Sequence, residues 1–421
     1  MIHATDRIQR KGPEVRGMAR QSVPKEPEST WPRVLFLSHT GQMGGAEFCL
    51  EELITLLSFQ RCAVLLASGP LLKRLRDKHI PALAVAAGGQ LMAPGRETGP
   101  WTRLWAARRL PRLVRQLARL ARNSDIIYAN SKKVLLPAAL TARLANRPLI
   151  WHQHDEIHLP ASAAPRSRLS EGLLVWLLNR YAARIISVSR AAADSFIAAG
   201  GRTELPVVVH NGLDPSDYVP GDRFSARVCA GLPTGVALIG CFGRLTAWKG
   251  QAVLIEALTR IPDAHVVLVG GALFGEADYE AGLRLTAERL GLSDRVHFLG
   301  HRDDVAALMQ AVDVIAHPST HFDPCPRVVL EALHSNVPLV ATAVGGTPEL
   351  VETEISGLLV PPRDPQALAD ALRRMLDDPS LAASLAAEGR CRALSQFTLD
   401  RVVTCVEREI RAVASPPAGR A

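Results

Sequence analysis

Long apolar runs are missing from this chain of 421 residues. The apolar stretch at residues 173–178 is far shorter than the roughly 20 residues that a helix needs to span a bilayer, so the sequence predicts no transmembrane helix. Residues 1–30 are polar and interrupted by proline, without the apolar core of a secretory signal. We predict that they form a disordered leader.

Aromatic residues and cysteines are also scarce, at 5% and seven residues respectively. The cysteines are odd in number and widely scattered, which argues against a disulfide framework and is typical of a protein in a reducing cytoplasm. The sequence also lacks zinc-ligand spacing, RNA-binding aromatic patterns and helix-turn-helix signatures. Nucleic acid is therefore not an expected partner.

Negative charge is scarce in the first half of the chain. Residues 1–200 carry 29 Lys and Arg against 14 Asp and Glu, whereas residues 201–421 carry 20 against 27. The net charge of +8 therefore originates in the first half. This excess predicts an anionic partner or a membrane surface there.

Short Val/Ile/Leu-rich runs alternate with helical patterns, as in parallel sheets with crossover helices. The strands predicted in the first half are 33–38, 63–67, 126–129, 148–151 and 184–188. The pattern restarts near residue 207, with strands at 207–210, 236–241, 265–269, 296–299, 314–317 and 339–341. The predicted fold class is α/β, with Rossmann-like domains at 31–206 and 207–396 and a helix at 397–415 that packs back on the first domain. Ligands of such sheets bind beyond the carboxyl ends of the strands, here in an interdomain cleft.

A glycine-bearing loop, Gly44-Gly45-Ala46-Glu47, follows the first predicted strand and leads into a helix. Glycine lets backbone amides approach a phosphate, and the helix dipole favours negative charge. A tight turn that needs only small residues explains the pair Gly44 and Gly45 equally well.

Two cations follow the strand predicted at 236–241. Arg244 and Lys249 are five residues apart and lie beside Gly243 and Gly250. An arginine fork and a lysine point charge together suit a leaving diphosphate, on which negative charge grows. We predict that they clamp this group; the alternative is a solvated loop with ordinary surface cations.

Two carboxylates lie eight residues apart beyond the strand at 314–317. Asp323 is in a loop, and Glu331 is on the second turn of a helix that Pro326 opens. The helix start at Arg327 and Val328 faces a phosphate in this interpretation. Asp323 then accepts hydrogen bonds from sugar hydroxyls and Glu331 from ribose hydroxyls. The pattern predicts a nucleotide-sugar site.

In this order the motifs resemble a family-four retaining glycosyltransferase with the GT-B fold, over roughly residues 33–413. The matching positions are the acid pair Asp323 and Glu331, the phosphate-clamping pair Arg244 and Lys249, the glycine loop 44–47, and the recurrent segments 211–214 and 345–349.

The resemblance implies a reaction that needs neither a metal nor an enzyme nucleophile. In the front-face mechanism the leaving phosphate takes the proton of the acceptor. Arg244 and Lys249 stabilise the diphosphate, Asp323 orients the sugar and Glu331 holds the ribose.

The resemblance also places an acceptor-side histidine at His154, after the strand predicted at 148–151. Histidine suits proton handling or the orientation of hydroxyls near neutral pH. His152 and His158 lie close by in sequence, which leaves a metal site as an alternative. We expect no metal and no cofactor other than the donor itself.

Two departures from the family pattern concern the acid motif. Asp323 replaces a glutamate, and Cys325-Pro326 replaces a Phe-Gly pair. Aspartate holds its carboxylate ~1 Å further back, a displacement that costs orders of magnitude in rate in a tuned site. Pro326 lacks the amide that glycine would offer, and Arg327 is the candidate to compensate.

Residues 101–122 form a basic amphipathic pattern. Arginines at 112, 115, 119 and 122 lie opposite apolar residues at 113, 114, 117 and 120. Such a face binds anionic lipid, and Trp101 and Trp105 suit a membrane interface. The alternative is an ordinary surface helix whose apolar side packs on the sheet.

The sequence therefore predicts a cytoplasmic retaining glycosyltransferase, peripheral at the inner face of the membrane. It moves a hexose-type sugar from a nucleoside diphosphate to a hydroxyl of a glycan, lipid-linked or small-molecule acceptor, in the synthesis of cell-surface polysaccharide or glycoconjugate. Two alternatives stay open, a GT-B sugar-nucleotide epimerase and a non-catalytic nucleotide-sugar-binding subunit.

Overall fold

The computed structural model describes residues 31–85, 100–157, 165–272 and 276–415, with side chains except those of 100–107, 165–168 and 277. Two parallel β-sheets with flanking helices organise these residues. The leader predicted at residues 1–30 lies outside the described residues.

The first sheet has seven described strands, all paired in parallel. They are β1 (Arg33–Ser38), β2 (Gln60–Leu65), β3 (Ala82–Ala84), β4 (Ile126–Ala129), β5 (Leu149–Gln153), β6 (Ala182–Ser187) and β7 (Pro206–Val208). Their order is β3-β2-β1-β4-β5-β6-β7. The helices of this half are α1 (Gly45–Leu56), α2 (Pro70–Asp77), α3 (Pro100–Ala121), α4 (Leu135–Ala145), α5 (Pro165–Tyr181) and α6 (Arg190–Ala198).

The second sheet has six described strands, also parallel. They are β8 (Ala237–Phe242), β9 (Ala264–Val269), β10 (Val296–Gly300), β11 (Val314–His317), β12 (Leu339–Thr342) and β13 (Leu358–Val360). Their order is β10-β9-β8-β11-β12-β13. The remaining helices are α7 (Arg223–Ala230), α8 (Gln251–Leu258), α9 (Ala277–Arg289), α10 (Val305–Gln310), α11 (Arg327–His334), α12 (Thr347–Leu350), α13 (Pro365–Asp377), α14 (Pro379–Gln396) and α15 (Leu399–Ala414).

The predicted α/β class with two Rossmann-like sheets is confirmed. The central strands are buried almost throughout, as in β4 and β5, because helices cover both faces of a parallel sheet. In each sheet the strand order reverses once, between β1 and β4 and between β8 and β11. Ligands bind at such switch points, outside the carboxyl ends of the strands.

The strand predicted at 207–210 belongs to a different sheet than expected. It forms β7 and pairs with β6 through Ile186 and Val207, so it closes the first sheet and does not begin the second. Periodicity reveals that a short apolar run is a strand, but it carries no information on the edge with which the run pairs. The three-residue strands β3 and β13 were not predicted; β7 is equally short, but it lies within the longer apolar run at residues 205–209.

The chain returns to the first sheet at its carboxyl end. Leu213 donates its amide to the Phe397 carbonyl at 3.0 Å, and Leu399 donates to the Leu213 carbonyl at 2.8 Å. Beyond this crossover, α15 packs against α1 and β6. Glu407 accepts the Ser58 amide at 2.7 Å, which fastens the helix to the end of α1.

The apolar side of α3 is buried. Leu113, Val114 and Leu117 are buried, and Leu113 and Leu117 belong to the core of the first sheet, whereas the arginines of the opposite side are exposed. Over residues 108–121, α3 is thus a surface helix that packs on the sheet. The side chains of Trp101 and Trp105 lie outside the described residues. Within the described part of the chain, every helix is too short or too polar to cross a bilayer.

The crossover offers a test of the packing at Gly212. A Cβ at this position would lie 2.4 Å from the Thr398 carbonyl oxygen, so Gly212→Ala should lower the free energy of unfolding by about 1–3 kcal/mol through overpacking. A Cβ at Gly235 would meet nothing within 4 Å, and Gly235→Ala should stay within about 1 kcal/mol of wild type. Urea unfolding followed by circular dichroism measures both; equal stability of the two variants would contradict the tight crossover.

Candidate active site

Asp323 is the centre of a buried polar cluster at the switch point of the second sheet. Its Oδ2 accepts from Lys249 Nζ at 2.7 Å and lies 3.1 Å from His317 Nε2. Ser319 Oγ is 3.1 Å from the same histidine nitrogen. Burial alone would raise the pKa of Asp323, but Lys249 and His317 outweigh it and hold the pKa well below its usual range. The carboxylate is therefore ionised at neutral pH.

Three glycines let the backbone close around this carboxylate. At Gly345, with φ +54°, a Cβ would lie 2.2 Å from the Asp323 carbonyl oxygen. A Cβ at Gly346 would lie 1.9 Å from the Pro324 carbonyl oxygen, and one at Gly250 the same distance from that of Pro318. The recurrent segment 345–349 and the glycine after Lys249 thus shape the loop that presents Asp323.

Arg244 follows β8 on the other side of the same switch point. Its Nε lies 3.6 Å from Glu276 Oε2, and one third of its side chain is exposed. Gln251 donates to the Arg244 carbonyl at 2.9 Å, which holds the loop against the start of α8. Gly243, with φ +120°, turns the chain so that Arg244 leaves the strand end. Arg244 and Lys249 thus share one short loop.

Helix α11 begins beside this loop. Pro326 is its N-cap residue, and the amides of Arg327 and Val328 fall in the first turn, where helical geometry supplies no acceptor four residues back. A Cβ at Gly243 would lie 3.8 Å from Val328 Cγ2, so the first turn of α11 adjoins the loop that carries Arg244. The arrangement presents two backbone donors and two cations at one edge.

The guanidinium of Arg327 makes contacts that the sequence did not reveal. It donates to both carboxylate oxygens of Glu52 in α1, at 2.7 and 2.6 Å, and to Glu331 Oε1 at 3.0 Å. Tyr218 Oη also donates to Glu331 Oε1, at 3.2 Å. Burial raises the pKa of Glu331, although Arg327 opposes the shift. Arg327 thus bridges α1 and α11.

Glu349, at the end of the recurrent segment 345–349, also contacts the first half of the chain. Its carboxylate accepts the amides of Arg190 and Ala191 at 2.7 and 2.8 Å, at the start of α6, and lies 2.8 Å from His210 Nε2. A carboxylate at a helix start complements the helix dipole. Glu349 therefore fastens α12 to α6.

The glycine loop before α1 is not a tight turn. Gly44 is the N-cap residue in an extended conformation, φ −148° and ψ −179°, and a Cβ at Gly45 would meet nothing within 4 Å. Local packing therefore does not demand glycine at position 45. The amides of Gly45 and Ala46 lie in the first helical turn, where intrahelical acceptors are missing.

His154 lies beyond β5 in a network that reaches the same loop. Its Nε2 is 3.2 Å from Asn130 Oδ1, and Asn130 Nδ2 donates to the Ala46 carbonyl at 3.1 Å. Desolvation lowers the pKa of His154 to about 4, so the ring is neutral at pH 7. It supplies a hydrogen-bonding group and not a positive charge.

Glu47, the last residue of the glycine loop, has a perturbed carboxyl group. Its side chain is buried, which raises its pKa to about 7, and the nearby Asp155 adds to the shift. Burial also lowers the pKa of His39 to about 4. His39 and His154 are therefore neutral at this edge of the first sheet at pH 7, and Glu47 is only partly ionised.

No group of three potential ligands that could hold a metal occurs among the described residues. His152 is hydrogen-bonded to Tyr128, because the Tyr128 hydroxyl lies 2.9 Å from His152 Nδ1. His158, which the sequence left as a third metal ligand, lies outside the described residues.

Five polar residues of the two edges escaped prediction. A lone polar residue after an apolar run is the weak signal that could have found His317, Ser319 and Asn130. Nothing in the sequence marks Tyr218 or Glu52, which reach the cluster from distant segments.

Known proteins share both halves of this architecture. Two family models match the chain, Glycosyltransferase Family 4 over residues 43–217 and Glycosyl transferases group 1 over residues 222–392. The solved structure of HepE from Anabaena in complex with UDP-glucose is 34% identical, covers 90% of this chain and 100% of its own, and has a TM-score of 0.80.

Two curated relatives match shorter segments. The D-inositol 3-phosphate glycosyltransferase of Mycolicibacterium gilvum is 34% identical over 206 residues, 48% of this chain and 46% of its own. The chain thus spans about half the length of that relative. The lipopolysaccharide core biosynthesis mannosyltransferase LpsB of Rhizobium meliloti is 27% identical over 292 residues, 66% of this chain and 81% of its own.

The two parallel sheets, together with the likeness to HepE along its whole length, define the GT-B class of fold. The chain belongs to glycosyltransferase family 4.

The ion pair at the centre of the cluster can be tested by double substitution. Lys249→Met leaves the buried Asp323 carboxylate without its cation, and breaking a buried pair in this way should cost about 3–5 kcal/mol of unfolding free energy. Lys249→Met combined with Asp323→Asn should recover part of that loss, because no unpaired charge remains. Chemical denaturation of both variants and of Asp323→Asn completes the cycle; additive effects would contradict the coupling.

Glu47 predicts a pH dependence of stability. Because its folded pKa of about 7 exceeds its unfolded value, the unfolded state ionises first, and stability should fall as pH rises from about 4.5 to 7. Glu47→Gln should remove this decline and gain on the order of 3 kcal/mol above pH 7 relative to wild type. Melting temperatures from pH 4.5 to 8 measure it. The matched control Glu256→Gln, on exposed α8 surface, should follow wild type; identical profiles for all three proteins would refute the shifted pKa.

Proposed function

We propose that the protein is a metal-independent retaining glycosyltransferase. It moves a hexose-type sugar from a nucleoside diphosphate to a hydroxyl of a glycan, lipid-linked or small-molecule acceptor, in the synthesis of cell-surface polysaccharide or glycoconjugate. The HepE complexes contain UDP and UDP-glucose, which makes uridine donors the first to test.

The observation that carries the proposal is the convergence at the second switch point. Arg244 and Lys249 share one loop, and the first turn of α11 lies beside it with the amides of Arg327 and Val328. Cations and helix amides together favour a diphosphate. The amides of Gly45 and Ala46 supply further donors from the first sheet.

Asp323 and Glu331 are assigned to the sugar and the ribose. Asp323 stays ionised and accepts hydrogen bonds from sugar hydroxyls. The contacts of Glu331 with Tyr218 and Arg327 both fall on Oε1, which supports the assignment of its Oε2 to the ribose. As the bond to the sugar breaks, negative charge grows on the diphosphate, where Arg244 and Lys249 stabilise it. The leaving phosphate takes the proton of the acceptor hydroxyl, which attacks the same face.

The acceptor lies at the edge of the first sheet. His154, neutral at pH 7, orients an acceptor hydroxyl, with Asn130 fixing its ring. The exposed arginines of residues 108–122 provide a peripheral contact with anionic membrane, which suits a lipid-linked acceptor made at the cytoplasmic side.

The test is titration calorimetry with UDP and UDP-glucose in EDTA, followed by GDP and ADP donors. Arg244→Gln should weaken binding by about tenfold to a hundredfold, since a hydrogen bond to a charged group contributes about 1.5–3 kcal/mol. The control Arg260→Gln removes an exposed arginine bonded to Gln366 and should bind as wild type.

Turnover distinguishes the candidate activities. A retaining transferase should release the nucleoside diphosphate and form a product whose anomeric configuration, read by proton NMR, is that of the donor. Asp323→Asn should lower the rate of this release while the affinity for the donor persists. A free epimerised sugar nucleotide would identify an epimerase instead. Binding without transfer or hydrolysis would identify a non-catalytic subunit, and loss of binding in EDTA would contradict the metal-independent site.

A further inference from the structure

One face of the first sheet is covered by a strongly basic helical layer. Helix α4 lies between α3 and α5 and packs against both. The three helices carry ten arginines, six on α3, one on α4 and three on α5, against a single acidic residue, Glu171. Glu171 is itself paired with Lys132 at 2.5 Å. The charge excess of the first half of the chain is thus concentrated in this layer.

Helix α5 adds an exposed apolar stripe to the same layer. Leu169, Leu173 and Trp176 are 74%, 48% and 55% exposed, and their spacing of four and three residues places them along one side of the helix. They line an open groove of about 630 Å³. The core is made by a different side of α5, which contains Val175 and Leu178. The stripe is therefore not needed to hold the helix on the sheet.

The stripe ends in a basic pocket. Arg180 lies one turn beyond Trp176 and lines a pocket of about 280 Å³ together with Arg143 and Arg147. Among the described residues that line this pocket, none is acidic. Tyr181 joins the two features, because its ring meets Trp176 edge to face at 6.1 Å and carries the Arg180 guanidinium at 5.2 Å. Three arginines in one pocket suit a phosphate group.

The charge selects the occupant of this surface. In a symmetric dimer the same patch of both copies meets itself, so two arginine-rich layers would face each other and repel. An anionic bilayer instead offers phosphates to the arginines and hydrocarbon to the stripe, and tryptophan favours such an interface. We propose that the α5 stripe inserts into an anionic membrane surface while the pocket of Arg143, Arg147 and Arg180 binds a lipid phosphate.

This surface differs from the contact inferred from the sequence. The apolar side of α3 is buried in the core, so α3 contributes charge alone, and the apolar anchor is on α5. The proposal rests on neither donor binding nor turnover, so it can fail or hold independently of the proposed function.

The experiment is sedimentation with phosphatidylcholine vesicles, with and without phosphatidylglycerol, at low and high salt. Wild type should bind the anionic vesicles and leave them at high salt. Leu173→Ser with Trp176→Ser should weaken binding about tenfold or more, because both exposed side chains lose their burial in lipid. Arg143→Gln with Arg180→Gln should weaken it to a similar degree.

Matched controls distinguish insertion of the stripe from a general loss of exposed apolar surface. Leu285→Ser removes an apolar side chain that is 65% exposed on α9 and should bind as wild type. In vesicles with brominated lipid, tryptophan quenching should decrease in Trp176→Phe, although this conservative variant still binds. Because the apolar side chains that are replaced are exposed, the variants should melt near the temperature of wild type. This measurement verifies that each variant is folded.

Three results would overturn the proposal. The first is that the Leu173→Ser and Trp176→Ser double variant binds vesicles as wild type does, while an Arg112→Gln and Arg115→Gln double variant loses vesicle binding. That result would assign the contact to α3 alone. Failure of wild type to bind anionic vesicles would reject the membrane. A wild-type dimer in sedimentation velocity that dissociates on Trp176→Ser would assign the stripe to a second copy of the chain.

Discussion

The buried charge of Asp323 is the constraint on which the ligand edge of the second sheet depends. Removing a carboxylate from water costs several kcal/mol unless cations and hydrogen bonds offset it, and here Lys249 and His317 do so. The two partners come from opposite sides of the switch point, Lys249 after β8 and His317 at the end of β11. The cluster therefore joins the strand ends between which a ligand crevice forms, and it leaves a lysine at that crevice.

The same stretch of chain connects the two halves of the molecule. Gly345 and Gly346 pack behind Asp323, and three residues later Glu349 caps α6. At the start of α11, Arg327 forms its bidentate pair with Glu52 of α1. The loop that shapes the candidate donor site is thus bounded by two polar contacts with the first half. A change in the position of α11 would alter the pair of Arg327 with Glu52, so this contact links the candidate donor site to the relation of the two sheets.

Sequence reasoning found the local features and one long-range feature, the return of the helix predicted at 397–415 to the first domain, and it missed other long-range contacts. The strand ends at Ser38 and His317 and the helix after Pro326 follow from periodicity and proline, whereas the ion pair of Lys249 with Asp323 was not predicted. The sheet to which β7 belongs and the link from Arg327 to Glu52 depend on packing between segments far apart in sequence. The burial of Leu117 on α3 agrees with one of the two alternatives that the sequence left open. Arg327 was assigned to a phosphate because it lies at the start of a predicted helix. Its guanidinium pairs with Glu52, which is 275 residues away, and no local sequence pattern predicts that contact.

Two buried carboxyl groups, one at the ligand edge of each sheet, differ in the direction in which their pKa is shifted. Asp323 has a cation at 2.7 Å, and its pKa is held low. Glu47 has Asp155 as a neighbour, and burial raises its pKa to about 7. At pH 7 the carboxyl group is therefore fully ionised at one edge and only partly ionised at the other, because a cation lies beside the first group and a second carboxylate beside the other. The ligand edge of the second sheet therefore presents cations, whereas that of the first sheet presents the neutral ring of His154 and the carboxyl group of Glu47, which is partly ionised near pH 7.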